Sequence, residues 1–219
     1  MIDSMIEFLE GYEKLQDESL REYAKEINGL VGPGSVEMLA ECVKFIDEDK
    51  CYLEVGTFQG MSLLGTAMRN PTVNCFGVEN FAEEFKDNWD KFDHNKRSNQ
   101  HILHHNLKKF GKGNASVFEQ DYRTFFHNRK DVNGQKVEVY LYDGPHSYEH
   151  QVLGLILAEP SLADHALVFI DDYKCPNVPK SVTRVLAMKN GYQRQIKSWV
   201  DPYEDFREGF VALEYKRNV

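Results

Sequence analysis

Acidic side chains stand at the ends of two apolar runs in the second half of the chain. Asp143 follows the run 137–142, and Asp171 and Asp172 follow the run 165–170. If both runs are parallel strands, their carboxyl ends meet at one edge of a sheet, where ligands bind. Three carboxylates so close together are costly unless a hard divalent cation such as Mg²⁺ neutralises them. Asp143, Asp171 and Asp172 are therefore predicted metal ligands.

A histidine lies within reach of this predicted site. His146 comes three residues after Asp143, on the same turn. An imidazole there is placed to take a proton as a general base, while a bound cation lowers the pKa of a substrate hydroxyl. A structural role remains open, because Asp143 and Ser147 suit helix capping and Asp172 suits a turn.

A glycine turn in the first third of the chain predicts a second binding element. The apolar run 52–55 contains Glu54, and Gly56 and Gly60 follow before the helical pattern of 61–68. Strand, tight turn and helix are the first unit of a doubly wound sheet. The spacing is not the Gly-x-Gly-x-x-Gly of dinucleotide folds, and the Lys-Ser/Thr of a P-loop is missing. NAD and ATP are therefore disfavoured as ligands.

Two further acids follow the next apolar runs. Glu79 lies 23 residues beyond Gly56, where a strand–helix–strand unit places an acid beside a ribose. Its carboxylate can accept hydrogen bonds from two neighbouring hydroxyls. Asp121 suits an adenine amino group, and Tyr122 can stack on or cover the ring. The competing role of Asp121 is to cap the helix that begins at Arg123.

Together these motifs resemble class I S-adenosylmethionine (SAM) methyltransferases in order and spacing. They are Glu54-x-Gly56-x-x-x-Gly60, Glu79, Asp121, Asp143-Gly144-x-His146-x-Tyr148 and Asp171-Asp172-Tyr173. The last two are similar to metal-dependent O-methyltransferases of the macrocin and aminocoumarin type, which act on sugars. The resemblance covers residues 50–190.

The resemblance implies a single domain, 1–219, with a helical extension over 1–49 and a catalytic α/β core over 50–219. The core would be a Rossmann-like, doubly wound, seven-stranded sheet whose last strand is antiparallel. SAM and Mg²⁺ are the implied cofactors, and Asp143 and His146 the implied catalytic residues. The implied SAM contacts are Glu54, Gly56, Thr57, Gly60, Ser62, Glu79, Asp121, Tyr122 and Asp143.

The implied activity is Mg²⁺-dependent methylation of a hydroxyl on a small molecule. Catechol-type and caffeoyl-CoA-type relatives have lysine at the position of His146, so the histidine favours a sugar or polyol acceptor. One alternative is a metal-independent methyltransferase whose carboxylates only orient the substrate. The other is a SAM-binding protein without catalysis, which the intact acidic motifs argue against.

The composition is that of an ordinary globular protein, with 42% hydrophobic and 28% charged residues. No apolar run approaches the ~18–20 residues that span a bilayer, and the start lacks the basic region of a signal peptide. The four cysteines show no Cys-x-x-Cys pairing, so Cys51 and Cys75 are predicted to be small core residues. A cytoplasmic protein without a membrane partner is expected.

Charge is distributed unevenly along the chain. Residues 1–50 hold thirteen acids and five bases, net −8 of the total −9. An acidic chain without a basic stripe argues against a nucleic-acid partner. Residues 86–113 hold seven Lys or Arg against three Asp, which predicts a solvated helical insertion or a lid or docking surface for an anionic substrate. The helical pattern of 1–30 predicts packing on the body, with active-site cover or a homo-oligomer contact as alternatives.

Overall fold

A seven-stranded sheet runs through the centre of the part of the chain that the computed structural model describes, residues 2–14, 16–27, 29–81, 98–200 and 205–218. The strands are β1 (Lys50–Val55), β2 (Asn74–Glu79), β3 (Ala115–Glu119), β4 (Lys136–Tyr142), β5 (Leu162–Asp171), β6 (Tyr192–Trp199) and β7 (Phe210–Lys216). Their order is β3-β2-β1-β4-β5-β7-β6, and β7 is antiparallel to both of its neighbours. The predicted sheet, including its antiparallel last strand, is confirmed.

Helices cover both faces of the sheet. They are α1 (Ile2–Gly11), α2 (Ser19–Glu26), α3 (Pro33–Val43), α4 (Met61–Arg69), α5 (Asn99–Phe110), α6 (Tyr122–His127), α7 (Tyr148–Ala158) and α8 (Asn177–Met188). One core cluster joins the sheet to α1, α3 and α4, and another joins it to α6, α7 and α8. Neighbouring residues of β1 alternate between the two clusters, so the strand is apolar on both faces.

The N-terminal helices pack on the body of the same chain, as predicted. The apolar face of α1 is buried in the cluster that contains Trp199 and Phe206, and Leu20 of α2 is buried against α4. Burial of a large apolar side chain contributes about 1.5–3 kcal/mol. These side chains therefore stabilise the fold of the single chain.

The glycine turn brings two strand ends together. Gly56 has φ +92°, and a Cβ atom on it would lie 1.8 Å from the Asp143 carbonyl oxygen. Gly60, with φ +91°, begins α4 in the left-handed conformation that favours glycine. The carboxyl ends of β1 and β4 therefore approach each other at backbone distance, as in the crevice of a doubly wound sheet.

The cysteines are unpaired. Cys42, Cys51 and Cys75 are buried and Cys175 is partly exposed, which confirms Cys51 and Cys75 as core residues. Within the described ranges, no helix has both the length and the apolar character needed to cross a bilayer.

Candidate active site

A cavity of about 870 Å³ opens at the carboxyl ends of the parallel strands. Its walls include the glycine turn, the residues that follow β2, β3, β4 and β5, and the segment 29–31 between α2 and α3. The volume lies within the range of roughly 300–1,000 Å³ that is usual for small-molecule sites. Most of the sequence-predicted site residues line this one cavity: Gly56, Thr57, Ser62, Glu79, Asp121, Tyr122, Asp143, His146 and Asp172.

Glu79 is held at the cavity wall by two backbone donors. The Phe58 N–H donates to Oε2 at 2.8 Å, and the Phe81 N–H donates to Oε1 at 2.9 Å. Both phenylalanines have φ +49°, a strained backbone conformation for a residue with a side chain. Each carboxylate oxygen retains a further lone pair. Glu79 is thus an oriented acceptor in the wall, as the ribose prediction requires.

Glu54 lies beneath the turn and not in the cavity wall. It is fully buried, and the Tyr52 hydroxyl donates to its Oε2 at 2.7 Å, while Oε1 has no partner among the described residues. Burial raises the pKa of Glu54 to about 7, although the Tyr52 hydrogen bond acts in the opposite direction. The hydroxyl groups of Thr57 and Ser62 are buried nearby.

Asp121 caps α6 in the structure. Its carboxylate accepts from the Arg123 N–H at 2.8 Å and is also paired with the Arg123 guanidinium at 2.6 Å. These contacts lower the pKa of Asp121, because the Arg123 hydrogen bonds favour the ionised form. The side chain of Tyr122 is buried edge-to-face against Tyr142, and its hydroxyl lies 2.9 Å from His150 Nδ1. Both residues still line the cavity, where the adenine role remains a prediction.

Three side chains converge where the residues that follow β4 and β5 line the cavity. Ligand atoms of Asp143, His146 and Asp172 lie within 4.8 Å of one another. His146 Nε2 is 2.7 Å from Asp172 Oδ2, and this contact raises the pKa of His146. Burial raises the pKa of Asp143 well above its usual range, and the charges of Asp171 and Asp172 act in the same direction.

Asp171, the third predicted carboxylate, is not part of this convergent group and is not among the described residues that line the cavity, so its role as a metal ligand stays a prediction. It is the last residue of β5, is 5% exposed and pairs in register with Phe210. Burial raises its pKa well above the usual range. Asp172 leaves the strand with φ +58°, and this change of backbone direction brings its carboxylate to His146. The third convergent side chain is therefore a histidine.

The turn between β5 and α8 also holds the backbone of His146. Asn177, the first residue of α8, donates from Nδ2 to the His146 carbonyl oxygen at 3.2 Å. The Cys175 N–H donates to the Asp172 carbonyl oxygen at 2.8 Å, which closes the turn. His146 is thus held at its imidazole by Asp172 and at its carbonyl by Asn177. No sequence motif pointed to Asn177.

A wall that sequence reasoning missed closes the cavity beside the residues that follow β5. It joins 29–31, before α3, to Arg207 and Glu208, before β7, and Lys174 lies beside them. Arg207 Nη1 donates to the Gly29 carbonyl oxygen at 2.6 Å, and the Gly34 N–H donates to the Asp205 carbonyl oxygen at 2.9 Å. These contacts join segments that are over 170 positions apart, so local patterns do not reveal them.

The basic segment 86–113 lies partly outside the described residues, which resume at 98. In the described part, Lys109 Nζ is 3.0 Å from Oε2 of Glu26 on α2, and Lys108 and Lys112 are exposed. His101 and His105 are exposed on α5. The lid hypothesis for this segment stays a prediction.

Comparison with known proteins decides the family. Residues 53–173 match the family model described as "Methyltransferase domain". The chain belongs to this methyltransferase family. The matched range contains the glycine turn, Glu79 and the Asp143–His146–Asp172 group. No curated protein sequence matches the chain.

Several solved O-methyltransferases share this fold. TomG from Streptomyces achromogenes, involved in tomaymycin synthesis and solved with SAM, is 16% identical, with 98% of this chain and 96% of TomG covered and a TM-score of 0.64. The O-methyltransferase from Bacillus cereus in complex with SAH is 13% identical, with 99% and 100% covered and a TM-score of 0.64. The O-methyltransferase NovP is 16% identical, with 99% and 98% covered and a TM-score of 0.59. Fold and family together make this chain a SAM-dependent methyltransferase, as the sequence motifs predicted.

Proposed function

We propose that this methyltransferase acts on oxygen, transferring the SAM methyl group to a hydroxyl of a small sugar-like or polyol-like molecule with the help of a divalent cation. The observation that carries the proposal is the convergence of Asp143, His146 and Asp172 within 4.8 Å at one side of the cavity. A hydroxyl must lose its proton to become a good nucleophile, and this group offers both a base and sites for a cation.

The residues from the glycine turn to Asp121 would hold the cofactor. The oriented carboxylate of Glu79 would accept from the ribose hydroxyls, and the backbone at Gly56 lines the cavity, where a ligand would lie against the main chain. Asp121 and Tyr122 line the wall where an adenine ring would follow. The cavity volume accommodates a cofactor and a small acceptor together.

His146 is the proposed general base. Its contact with Asp172 fixes the ring and stabilises the imidazolium form that exists after proton uptake. The contact with Asn177 fixes the backbone that carries the ring. Holding the base within reach of a bound hydroxyl replaces a bimolecular encounter by a positioned one, which lowers the barrier.

The side chains suit a divalent cation bound mainly by Asp143 and Asp172. Two carboxylates so close raise each other's energy when ionised, and a cation relieves this cost. Carboxylates suit Mg²⁺ and Mn²⁺, whereas an imidazole ligand suits transition metals such as Zn²⁺. When bound, SAM supplies the methyl group on a positively charged sulfur, and the cation supplies a charge that lowers the hydroxyl pKa.

A metal-independent methyltransferase is the second candidate, and one observation favours it. The 2.7 Å contact between His146 and Asp172 is already a complete acid–base pair. In that case Asp143 orients the acceptor, and His146 removes the proton without help from a cation.

A methyl-transfer assay with labelled SAM and a panel of sugars, polyols and phenols tests the proposal. Metal-stripped protein should be inactive and should regain activity with Mg²⁺ or Mn²⁺. Full activity in chelator would leave the metal-independent candidate. Methylation of amines in place of hydroxyls would contradict the assignment to oxygen.

A further inference from the structure

Two cationic side chains stand together in the acceptor-side wall of the cavity. Lys174 follows Asp172 by two residues, and Arg207 lies before β7. The Lys174 N–H donates to the Glu208 carbonyl oxygen at 2.8 Å, and Lys174 Nζ donates to the Arg207 carbonyl oxygen. Lys174 Nζ therefore lies against the backbone of Arg207, and both residues line the same cavity as Asp143, His146 and Asp172.

Both side chains are anchored by backbone oxygens. Arg207 uses Nη1 to reach the Gly29 carbonyl oxygen at 2.6 Å, and a guanidinium has further N–H donors in the same plane. Among the side chains that the structure describes, neither Lys174 nor Arg207 is within ion-pair distance of a carboxylate. Other described basic residues, such as Arg21 and Arg69, do form such pairs.

We propose that Lys174 and Arg207 form an anion subsite, which binds a carboxylate or phosphate group on the methyl acceptor. This inference rests on the proposed function, because it assumes that the acceptor hydroxyl reacts beside Asp143 and His146. Arginine and lysine bind such groups through charge-assisted hydrogen bonds. The acceptor would thus be a hydroxylated acid or a phosphorylated polyol.

The apolar side of the same wall restricts the acceptor further. Leu30 is 45% exposed and, with Val31, lines the cavity close to Arg207. An acceptor bound here would meet an apolar surface on one side and the two cations on the other. The apolar residues come from the segment between α2 and α3, and the two cations come from the segments after β5 and before β7.

The carboxylate of the cofactor is the other possible anion. SAM and S-adenosylhomocysteine (SAH) carry this group, whereas 5′-methylthioadenosine has the same adenosine and thioether without it. Of the acids predicted to contact the adenosine part of the cofactor, Glu79 ends β2 and Asp121 follows β3, while Lys174 and Arg207 lie beyond β5 and before β7, which favours the acceptor. A comparison of the two nucleosides separates the sources.

Inorganic phosphate is the probe, titrated in chelator so that no metal can bridge it to the protein. Phosphorus NMR on SAH-saturated protein should show saturable binding. Lys174→Gln and Arg207→Gln should each weaken it about tenfold or more, the loss expected for one charge-assisted hydrogen bond. Lys130→Gln, which removes an exposed lysine between α6 and β4 that does not line the cavity, is the matched control and should change nothing.

Two outcomes would overturn the anion subsite. One is phosphate binding that is absent in the wild type or equal in all variants. The other is binding with methylthioadenosine that SAH blocks, which would assign the pair to the cofactor carboxylate. SAH binding to each variant, measured by calorimetry, shows whether the variant is folded and still binds the cofactor. Structural damage from loss of the Gly29 contact in Arg207→Gln is thereby distinguished from loss of the anion subsite. Methyl transfer is not measured in this experiment, so its result is independent of the proposed reaction.

Discussion

The Tyr52 hydroxyl donates a 2.7 Å hydrogen bond to the Glu54 carboxylate, and both side chains are completely buried under the glycine turn. Residues two apart on a strand share a face, so β1 places this pair together. The second carboxylate oxygen of Glu54 has no partner among the described residues. A buried carboxylate with half of its oxygens unpaired is costly when ionised.

Stability should therefore fall as pH rises because of Glu54. The pKa of Glu54 is raised to about 7, above its ordinary value, so its contribution is complete below about pH 4.5 and is lost as pH rises through 7. The loss should approach about 3 kcal/mol between pH 5 and 8. Glu54→Gln should remove this part of the slope in urea unfolding measured across that range. An unchanged slope in Glu54→Gln would mean that other groups carry it, such as Glu159, whose pKa burial also raises to about 7.

Glu79→Ala should weaken SAH binding. The carboxylate would lose its hydrogen bonds to the ribose, each worth about 1.5–3 kcal/mol for a charged acceptor, and the backbone of Phe58 would lose its acceptor. A rise in the dissociation constant of about tenfold to several hundredfold is expected by calorimetry. Glu119→Ala is the control. Glu119 lies on β3, in register with Glu79 on β2, but its carboxylate accepts a hydrogen bond from the Gln100 side chain. Equal affinity in Glu79→Ala and wild type would exclude the ribose role.

Asp172 and Asp171 should behave differently, although they are adjacent. Asp172→Asn removes a charge from the convergent group, so the Mg²⁺ concentration for half-maximal activity should rise about tenfold or more. Asp171 is buried with a raised pKa, and an amide resembles its neutral form, so Asp171→Asn should keep the wild-type metal dependence. Titration of activity with Mg²⁺ compares the two. The reverse result would identify Asp171, and not Asp172, as the metal ligand.

His146→Ala should lower the turnover number by roughly 10²–10⁴, the usual contribution of a positioned base. SAH affinity should be unchanged, and the loss should shrink at higher pH because hydroxide can replace the missing base. His165→Ala is the matched control, since His165 also contacts a carboxylate, that of Glu214, at 3.0 Å but lies in the first half of β5, outside the cavity lining. A normal turnover number in His146→Ala would exclude His146 as the general base.

Asn177→Ala should lower turnover with little change in the Michaelis constant for SAM. Loss of one hydrogen bond of about 1 kcal/mol to the His146 carbonyl oxygen predicts a fall of about fivefold. Asn128→Ala serves as control, because its Nδ2 makes an equivalent 3.2 Å bond to Thr124 on α6. Equal turnover in both variants would show that Asn177 has no positioning role.

Local sequence pattern was enough to predict the sheet, the glycine turn and the acids at the strand ends, because strand–turn–helix units set these positions within a few residues. It did not reveal that Asp171 stays in the core while Asp172 turns to His146. That distinction depends on the backbone of one residue at the end of β5, with φ +58°. Arg207 was also missed, because its contact with Gly29 depends on how distant segments meet.

The contact between the α2–α3 linker and the β6–β7 loop has a consequence for exchanging parts between related enzymes. A Cβ atom on Gly32 would lie 2.1 Å from the Asp205 carbonyl oxygen, and Arg21 pairs with the Asp205 carboxylate at 2.7 Å. A foreign N-terminal segment with any other residue at position 32 would collide with the native loop. Residues 29–34 and 205–209 therefore form one transferable module, and a chimera meant to change acceptor range must carry both pieces from the same parent.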